Sequence, residues 1–424
     1  MSRKTEKEIE QAYRLAREQY ARRGVNTERA LAQLGKTSVS LNCWQGDDVT
    51  GFLNETGNPG GLVCTGSYPG KARNANELRD DLSKALSLIP GKHRVNLHAI
   101  YAEPHRRQIS RDELEPRDFS NWIKWARQNK LGLDFNGTFF GHPMAATGFT
   151  LASRDKAVRH FWIKHAIACR RIGAEMGKRL GTPCVTNVWI PDGFKDNPVD
   201  RKTPREILKK SLDQIFAERF NSKHLVDSIE GKLFGVGSEC YVVGSYDFFL
   251  AYAVANRKLL CLDTGHFHPT ESVADKLSAV LGQLDEVLLH VSRGVRWDSD
   301  HVVTLSDELR ALAEEIVRGQ YLNRVHIGLD FFDASINRVA AWVIGARCVL
   351  KAFLIALLEP GKSLRKIELD GDYTSRLALL EELKTMPAGS VWDLYCLRQA
   401  VPCRDQWINE VKTYERDVLM RRKN

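Results

Sequence analysis

The sequence predicts an α/β protein built on a (β/α)8 barrel, the TIM-barrel fold, with an N-terminal helix before it and an additional helical region after it. Eight short apolar runs of strand type recur along the chain, each separated from the next by a segment of helix length. Helical connections make consecutive strands parallel, because a tight turn cannot return the chain to the end where a strand began. Polar residues close several of the apolar runs, as expected where barrel strands reach the face that holds active sites.

The N-terminal region, residues 1–37, is predicted to be a helical extension. Its apolar residues recur at helical spacing among charged ones: Ile9, Ala12, Tyr13, Ala16 and Tyr20. This pattern indicates an amphipathic helix over residues 4–23 that ends near Gly24. The apolar stripe of that helix needs a partner surface elsewhere in the fold.

The catalytic barrel is predicted over residues 38–339. Its strands are expected at 38–44, 94–101, 131–136, 183–191, 224–234, 258–263, 286–291 and 324–330. Helices are expected at 75–88, around Trp122 and Trp125, and at 155–180, 203–220 and 245–256. A glycine-rich loop, residues 46–73, follows the first strand, and its length is typical of a lid or a binding loop. The loop matches neither a Walker A nor a dinucleotide fingerprint, so no phosphate loop is expected there.

Residues 340–424 are predicted to form a further helical region. Helical patterns are found at 339–358, 375–384, 391–395 and 407–421. Its large apolar residues are Trp392, Tyr395, Trp407 and Ile408. They suit a subunit interface, and they equally suit a layer that covers the barrel's own helices.

Composition favours a soluble globular protein, with the cytoplasm as the default compartment. The 424 residues are 43% hydrophobic and 27% charged, and no transmembrane run or signal peptide is expected. Nine cysteines without a CxxC spacing favour reduced thiols over disulfides or a zinc ribbon. The net charge of +9 is spread along the chain, so a solvated surface is favoured over a nucleic-acid footprint.

Carboxylate and imidazole side chains are concentrated between residues 261 and 300 and at the ends of the flanking strands. The candidate metal ligands are Glu230, Asp263, His266, His290, Asp298, Asp300 and Asp330. These are ligand types that Mg²⁺, Mn²⁺, Co²⁺ or Zn²⁺ accepts. In a parallel barrel the strand ends share one rim, so these residues are predicted to converge there.

The spacing of these residues suggests two ions that share one carboxylate. Asp298 and Asp300 are two residues apart, on one side of an extended segment. The first ion is assigned Glu230, Asp263, His290 and Asp330, and the second His266, Asp298, Asp300 and an oxygen of Asp263. Of the other candidates, Asp134 is interpreted as a helix N-cap, and His268 and His301 as structural.

Two reaction classes suit a pair of oxygen-rich ions on a barrel rim: phosphoester hydrolysis and aldose–ketose isomerisation. Lys232 lies two residues beyond Glu230 and can stabilise a substrate oxygen that becomes negative. The rim aromatics Trp44, Trp189 and Phe332 suit the apolar faces of a sugar, and His98 closes the second strand. His98 is equally consistent with a core histidine, and neither feature excludes a phosphoester.

Long motifs in this chain resemble the L-rhamnose isomerase family of the xylose-isomerase-like barrel superfamily. They are CWQGDD (43–48), YPGKARN (68–74), NLHAIY (96–101), WIPDG (189–193), GHFHPT (265–270), HVSR (290–293), VRWDSDHVV (295–303) and HIGLDFFDASINR (326–338). The resemblance covers nearly the whole chain. It implies a cytoplasmic homotetramer that interconverts L-rhamnose and L-rhamnulose with two divalent ions, Mn²⁺ first, with Co²⁺, Mg²⁺ or Zn²⁺ as alternatives.

The resemblance also assigns roles to individual residues. Glu230, Asp263, His290 and Asp330 match the family's first metal site, and His266, Asp298, Asp300 and the shared Asp263 match its second. Lys232, His98 and Asp330 are the candidate catalytic residues, and His98, Trp189, Lys232 and Phe332 are the candidate substrate-binding residues. By analogy with the family, hydrogen is expected to move between C1 and C2 of the sugar as a hydride.

Three alternatives stay open on the sequence. The first is an isomerase of a different aldose, because the loop after the first strand shapes the pocket. The second is a metal-dependent phosphodiesterase of the DNA-repair endonuclease type, which would need a basic groove of DNA size and a third metal site. The third is a non-enzymatic sugar-binding or nucleic-acid-binding protein, which the full ligand set together with Lys232 disfavours.

Overall fold

The fold is described from a computed structural model, and the described residues are 3–53, 64, 66–104, 109–235, 238–295 and 300–422. Eight strands close into a parallel barrel, which confirms the predicted fold class. They are β1 (Ser38–Asn42), β2 (Lys92–His98), β3 (Gly132–Asn136), β4 (Cys184–Val188), β5 (Leu225–Glu230), β6 (Leu259–Asp263), β7 (Val287–Val291) and β8 (Val325–Leu329). Each barrel strand pairs with the strand that precedes it and the strand that follows it in the chain, and β1 closes the ring by pairing with β8.

Several strands end earlier than the sequence pattern predicts. The apolar run that continues β1 turns into a 3-10 helix at Cys43–Gly46, and the run that continues β2 does the same at Ala99–Tyr101. Both turns lie on the barrel rim, where the chain must leave the sheet. An apolar run therefore overestimates strand length wherever buried side chains continue into a rim turn.

Helices surround the barrel and extend beyond it. They are α1 (Arg3–Arg22), α2 (Thr27–Leu34), α3 (Ala75–Leu86), α4 (Ser120–Gln128), α5 (Lys156–Leu180), α6 (Lys202–Ile215), α7 (Tyr246–Asn256), α8 (Val273–Leu281), α9 (Asp307–Arg318), α10 (Arg338–Leu357), α11 (Gly361–Leu369), α12 (Tyr373–Leu383), α13 (Ala388–Arg398) and α14 (Gln406–Asp417). Two of them, α2 and α11, were not predicted. The first was recognisable from its N-cap, because the side chain of Asn26 accepts a hydrogen bond from the Arg29 amide.

The long apolar helix α10 follows β8 and packs against α9 and α3. It is long and apolar enough to cross a membrane, but most of its surface is buried inside the protein. Trp342, Val343 and Val349 are fully buried within it. These are the properties of a buried helix in a globular fold. The helix belongs to the layer of helices that surrounds the barrel. The division of the chain at residue 340 stays a prediction.

The apolar stripe of α1 packs on α13. Tyr13 and Tyr20 of α1 are buried, and so are Trp392 and Tyr395 of α13. Burying one large apolar side chain of this kind contributes about 2–3 kcal/mol to folding. The two ends of the chain are thus joined, and both aromatic residues of α13 are used within one chain rather than left free for a second copy.

The lower part of the barrel interior holds a buried ion pair between Arg94 and Asp134. The Arg94 Nη2 and Asp134 Oδ1 atoms are 2.8 Å apart, and Asp134 also accepts hydrogen bonds from Ser40 Oγ and the Val185 amide. Asp134 lies in the middle of β3, so its interpretation as a helix N-cap was wrong. Its side chain points into the barrel, where it balances the guanidinium charge.

Buried His165 gives the fold a dependence on pH. The residue is fully buried on α5, and burial lowers its pKa from an ordinary value near 6.5 to about 3. Below pH 6.5 the unfolded chain binds a proton that the folded chain excludes, so folded stability falls as the pH falls through this window. Urea unfolding measures the free energy of unfolding at each pH. Between pH 6.5 and 4, this free energy is expected to fall less in His165→Gln than in the wild type, by up to about 1.4 kcal/mol per pH unit. If the unfolding free energies of the variant and the wild type fell equally with pH, His165 would not be the source of the pH dependence.

Candidate active site

Four of the predicted metal ligands meet at the carboxyl ends of four neighbouring strands. One ligand atom from each of Glu230, Asp263, His290 and Asp330 lies within 4.8 Å of the others. Glu230 and Asp263 are the last residues of β5 and β6, and Asp330 directly follows β8. Asp263 pairs with His290 in the register of β6 and β7. The parallel register therefore brings together residues that are far apart in the sequence.

The cluster is strongly charged, and three of its residues are buried while Asp330 is partly exposed. His290 Nδ1 lies 3.1 Å from Glu230 Oε2 and 3.2 Å from Asp330 Oδ2. Burial raises the pKa of Asp263 to about 8, and the nearby carboxylates of Asp330 and Glu230 act in the same direction. Burial would also raise the pKa of Glu230, but the charges and hydrogen bonds of His290 and His266 outweigh it and hold that pKa well below its usual range.

The donor set of this cluster fits a divalent cation. Three carboxylates and one imidazole provide oxygen and nitrogen ligands that such ions accept. The Gly265 amide and the Ser292 hydroxyl donate to Asp263 Oδ1, at 2.7 and 3.2 Å. Its other oxygen, Oδ2, is buried and has no hydrogen-bond partner among the described residues. A buried carboxylate oxygen without a partner is costly, and a cation held by the cluster would relieve that cost.

The residues predicted for a second ion lie beside this cluster. His266 Nδ1 is 3.0 Å from Glu230 Oε1 and 4.0 Å from Asp263 Oδ2. Asp300 lines the same pocket, and its backbone is in the left-handed region, with φ at 41°. That conformation is unusual for a residue with a side chain, and such strain is often found at functional sites. Asp298 lies outside the described residues.

A pocket opens directly over the ligand cluster. Its walls are formed by the aromatic and polar side chains that converge on this rim. They are Trp44, Val49, His98, Asn136, Phe140, Asn187, Trp189 and Phe332, together with Gly137, Glu230, His266, Asp300 and Asp330. Aromatic faces beside a few fixed polar groups are typical of a site for a small polar molecule. All three predicted rim aromatics, Trp44, Trp189 and Phe332, are in this set.

His98 is held as a neutral imidazole at the pocket wall. Its Nδ1 atom lies 3.1 Å from Thr138 Oγ1, and its Nε2 atom lies 3.5 Å from Asn136 Nδ2. Burial lowers the pKa of His98 to about 4, so the ring is uncharged at neutral pH. Trp44 packs edge-on against this ring, with centroids 4.5 Å apart, and its indole N–H donates to Asp330 Oδ1 at 3.2 Å.

Lys232 is buried just beyond the end of β5. Its Nζ atom lies 5.2 Å from the centre of the Trp189 ring and donates to the Gly235 carbonyl at 2.6 Å. The Trp189 ring in turn stacks on His266, with centroids 6.5 Å apart. The amine is therefore held beside the pocket rather than in solvent.

Two polar residues of the pocket were not predicted from the sequence. Asn136 ends β3 and Asn187 is the fourth residue of β4, and both side chains line the pocket. Each is a polar residue inside an apolar strand run, close to its carboxyl end. Glu230 and Asp263 carry the same signal, but an amide is not a primary metal ligand, so the pattern does not mark Asn136 or Asn187 as members of a metal site.

A larger cleft, about 940 Å³, lies at the opposite end of the barrel. It is lined by basic residues such as Arg29, Lys36 and Arg365 and contains none of the ligand cluster. Barrel enzymes use the carboxyl-terminal face for chemistry. The rim pocket is therefore the candidate active site.

Known proteins resemble this chain along nearly its whole length. The family model described as L-rhamnose isomerase matches residues 7–422. The L-rhamnose isomerase of Rhodopirellula baltica is 57% identical over 415 residues, which is 98% of this chain and 97% of that protein. The L-rhamnose isomerase of Escherichia coli O1:K1 is 55% identical over 416 residues, covering 98% of this chain and 99% of that protein. A solved structure of an L-ribulose 3-epimerase has a TM-score of 0.48 and 13% identity, covering 78% of this chain and 97% of that chain.

Proposed function

The chain belongs to the L-rhamnose isomerase family, whose members are aldose–ketose isomerases, and from this premise we propose that the rim pocket interconverts L-rhamnose and L-rhamnulose with two divalent ions. The observation that supports the site most strongly is the buried cluster of Glu230, Asp263, His290 and Asp330 below an aromatic pocket. A small sugar fits the mixture of apolar faces and fixed polar groups in that pocket.

The first ion is proposed to bind Glu230, Asp263, His290 and Asp330. The second is proposed to bind His266, Asp298, Asp300 and the shared Asp263. Support for the shared carboxylate comes from the position of Asp263 Oδ2, which is 4.0 Å from both His266 Nδ1 and His290 Nδ1. Mn²⁺ is proposed as the ion in both sites, with Co²⁺, Mg²⁺ or Zn²⁺ as alternatives that the same donors accept.

The reaction moves two hydrogens within the sugar. The hydrogen on C2 is proposed to pass to C1 as a hydride, while the proton on the C2 oxygen ends on the C1 oxygen. The bonds balance without an external oxidant or reductant. Divalent cations bound at these ligands would supply Lewis acidity that polarises the C1 and C2 oxygens.

The chain's own residues orient the sugar and stabilise the charge that develops on it. The Lys232 ammonium is proposed to hydrogen-bond the substrate oxygen that becomes negative, which is worth most in a buried site such as this one. Neutral His98 is proposed to contact the sugar and assist ring opening. Asp330 is proposed to act beside the reacting oxygens, and Trp189 and Phe332 to pack against the sugar's apolar faces.

We also infer a cytoplasmic homotetramer, as the family resemblance implies. Exposed apolar residues in the C-terminal helices support a contact with further copies, including Leu369 at 88% exposure and Tyr373 and Leu377 at 61% each. Trp392 and Tyr395, which the sequence offered for this interface, are buried within the single chain. Light scattering of the purified protein checks the assembly.

The test of the proposed function is L-rhamnose isomerisation in deuterated water. Protein loaded with Mn²⁺ is expected to convert L-rhamnose to L-rhamnulose, with little deuterium at C1 of the product by NMR, because a hydride never exchanges with solvent. L-Rhamnulose that carries full deuterium label at C1 would contradict the hydride shift and would indicate an enediol intermediate instead. Failure to form any ketose from L-rhamnose would contradict the proposed activity.

A further inference from the structure

Asn187 is held in one orientation by Glu230. Its Nδ2 group donates a hydrogen bond to Glu230 Oε2 across the boundary between β4 and β5. A carboxylate only accepts hydrogen bonds, so the amino group of the amide must face Glu230 and the carbonyl oxygen must face away from it. The usual ambiguity between the two ends of an amide is thereby removed.

The carbonyl oxygen of Asn187 is buried without a partner. Asn187 is 2% exposed, its side chain lines the rim pocket, and its Oδ1 atom meets no donor among the described residues. A buried acceptor without a partner is unfavourable, so an unpaired amide oxygen on a side chain that lines a pocket points to a donor that binds there.

The neighbouring strand repeats this arrangement. Asn136 is the register partner of Asn187 in the pairing of β3 and β4, and the two side chains line the same pocket. The Oδ1 atom of Asn136 is also buried and lacks a hydrogen-bond partner in the described part of the chain. Two amides side by side provide a polar strip on the pocket wall opposite β8.

We propose that Asn187 has two roles in this pocket: its amino group positions the Glu230 carboxylate, and its carbonyl oxygen accepts a hydrogen bond from a hydroxyl group of the bound sugar. This inference rests on the proposed function, since it requires a polyhydroxylated substrate. A sugar hydroxyl supplies the donor that Asn187 Oδ1 lacks, and a substrate analogue without that hydroxyl would leave the acceptor unpaired and be rejected.

The test uses the Mn²⁺-loaded protein and L-rhamnitol, a polyol that has the hydroxyl groups of the sugar but cannot isomerise. Calorimetry is expected to show that Asn187→Ala weakens L-rhamnitol binding roughly tenfold, the loss equivalent to one hydrogen bond. KM for L-rhamnose should rise by a similar factor. Mn²⁺ binding to the metal-free variant should also weaken roughly 10-fold or more, as is usual when a residue that orients a ligand is removed.

Asn96→Ala is the matched control. Asn96 lies on β2, is buried in the barrel, and also has an unpartnered Oδ1 atom, but it is not among the residues that line the rim pocket. Its replacement is expected to leave L-rhamnitol and Mn²⁺ binding unchanged. If Asn187→Ala does not fold, Asn187→Leu keeps the volume while removing both polar groups.

The outcomes separate this inference from the proposed function. Wild-type ketose formation together with weaker L-rhamnitol binding by the Asn187 variant supports both. If the wild type forms ketose, unchanged L-rhamnitol affinity in that variant overturns the hydroxyl-accepting role of Asn187, and unchanged Mn²⁺ affinity overturns its positioning of Glu230. If the wild type itself forms no ketose, the proposed function fails, and this inference fails with it.

Discussion

Replacing Asp263 with alanine is expected to abolish isomerase activity and to weaken the binding of both metal ions. Asp263 is almost fully buried between the two groups of proposed ligands, and its Oδ2 atom is 4.0 Å from both His266 and His290. Glu230 also lies near both imidazoles, but through two different oxygens, with Oε1 3.0 Å from His266 Nδ1 and Oε2 3.1 Å from His290 Nδ1. Its loss should reduce kcat by roughly 10²–10³-fold or more, the size of effect seen when a main electrostatic stabiliser is removed.

Calorimetric titration with Mn²⁺ measures the second part of this prediction. Asp263→Asn is the companion variant, since it keeps the volume and removes the charge, which guards against a loss of fold. Asp275→Ala, on the exposed face of α8, is the control and should behave like the wild type. A variant at Asp263 that still bound two ions with normal affinity would show that this carboxylate does not bridge them.

Replacing Lys232 with methionine is expected to remove catalysis while leaving the metals in place. Methionine fills a similar buried volume, so the change deletes the ammonium beside Trp189 with little loss of packing. If this group stabilises the oxygen that becomes negative, kcat should fall roughly 10²–10³-fold with KM affected much less.

Two comparisons make the Lys232 experiment specific. Mn²⁺ affinity should be unchanged in Lys232→Met, because the amine is not a ligand. Lys209→Met removes a lysine from the exposed face of α6, where it pairs with Asp213, and should leave kcat unchanged. A wild-type kcat in Lys232→Met would remove this residue from the mechanism and leave the metals as the main stabilisers of charge.

The barrel was predictable because its signal is repeated along the chain. Apolar runs separated by helix-length segments give the parallel order, and that order places Glu230, Asp263 and Asp330 on one rim. The family resemblance is confirmed by relatives more than half identical to this chain. The positions of Glu230, Asp263 and Asp330 at or just after their strand ends followed from these two facts.

Other features depend on three-dimensional contacts that a one-dimensional pattern does not contain. Asp134 has the sequence context of a helix cap, yet it forms an ion pair inside the barrel with Arg94 of the neighbouring strand. Asn187 is one polar residue in an apolar run, and its importance is visible only when Glu230 lies beside it. Trp392 and Tyr395 read as interface residues, but both are buried within the single chain, and Arg347 and Lys351 of α10 lie over the Trp392 ring.

The most direct test is to titrate Mn²⁺ into protein that has been stripped with a chelator while L-rhamnulose formation is followed. The proposed two-ion site predicts no ketose without metal, rising activity on addition, and saturation at two equivalents of Mn²⁺ per chain. Activity that persists in the metal-free protein, or a plateau at a single equivalent, would contradict a two-ion isomerase centre built around Asp263.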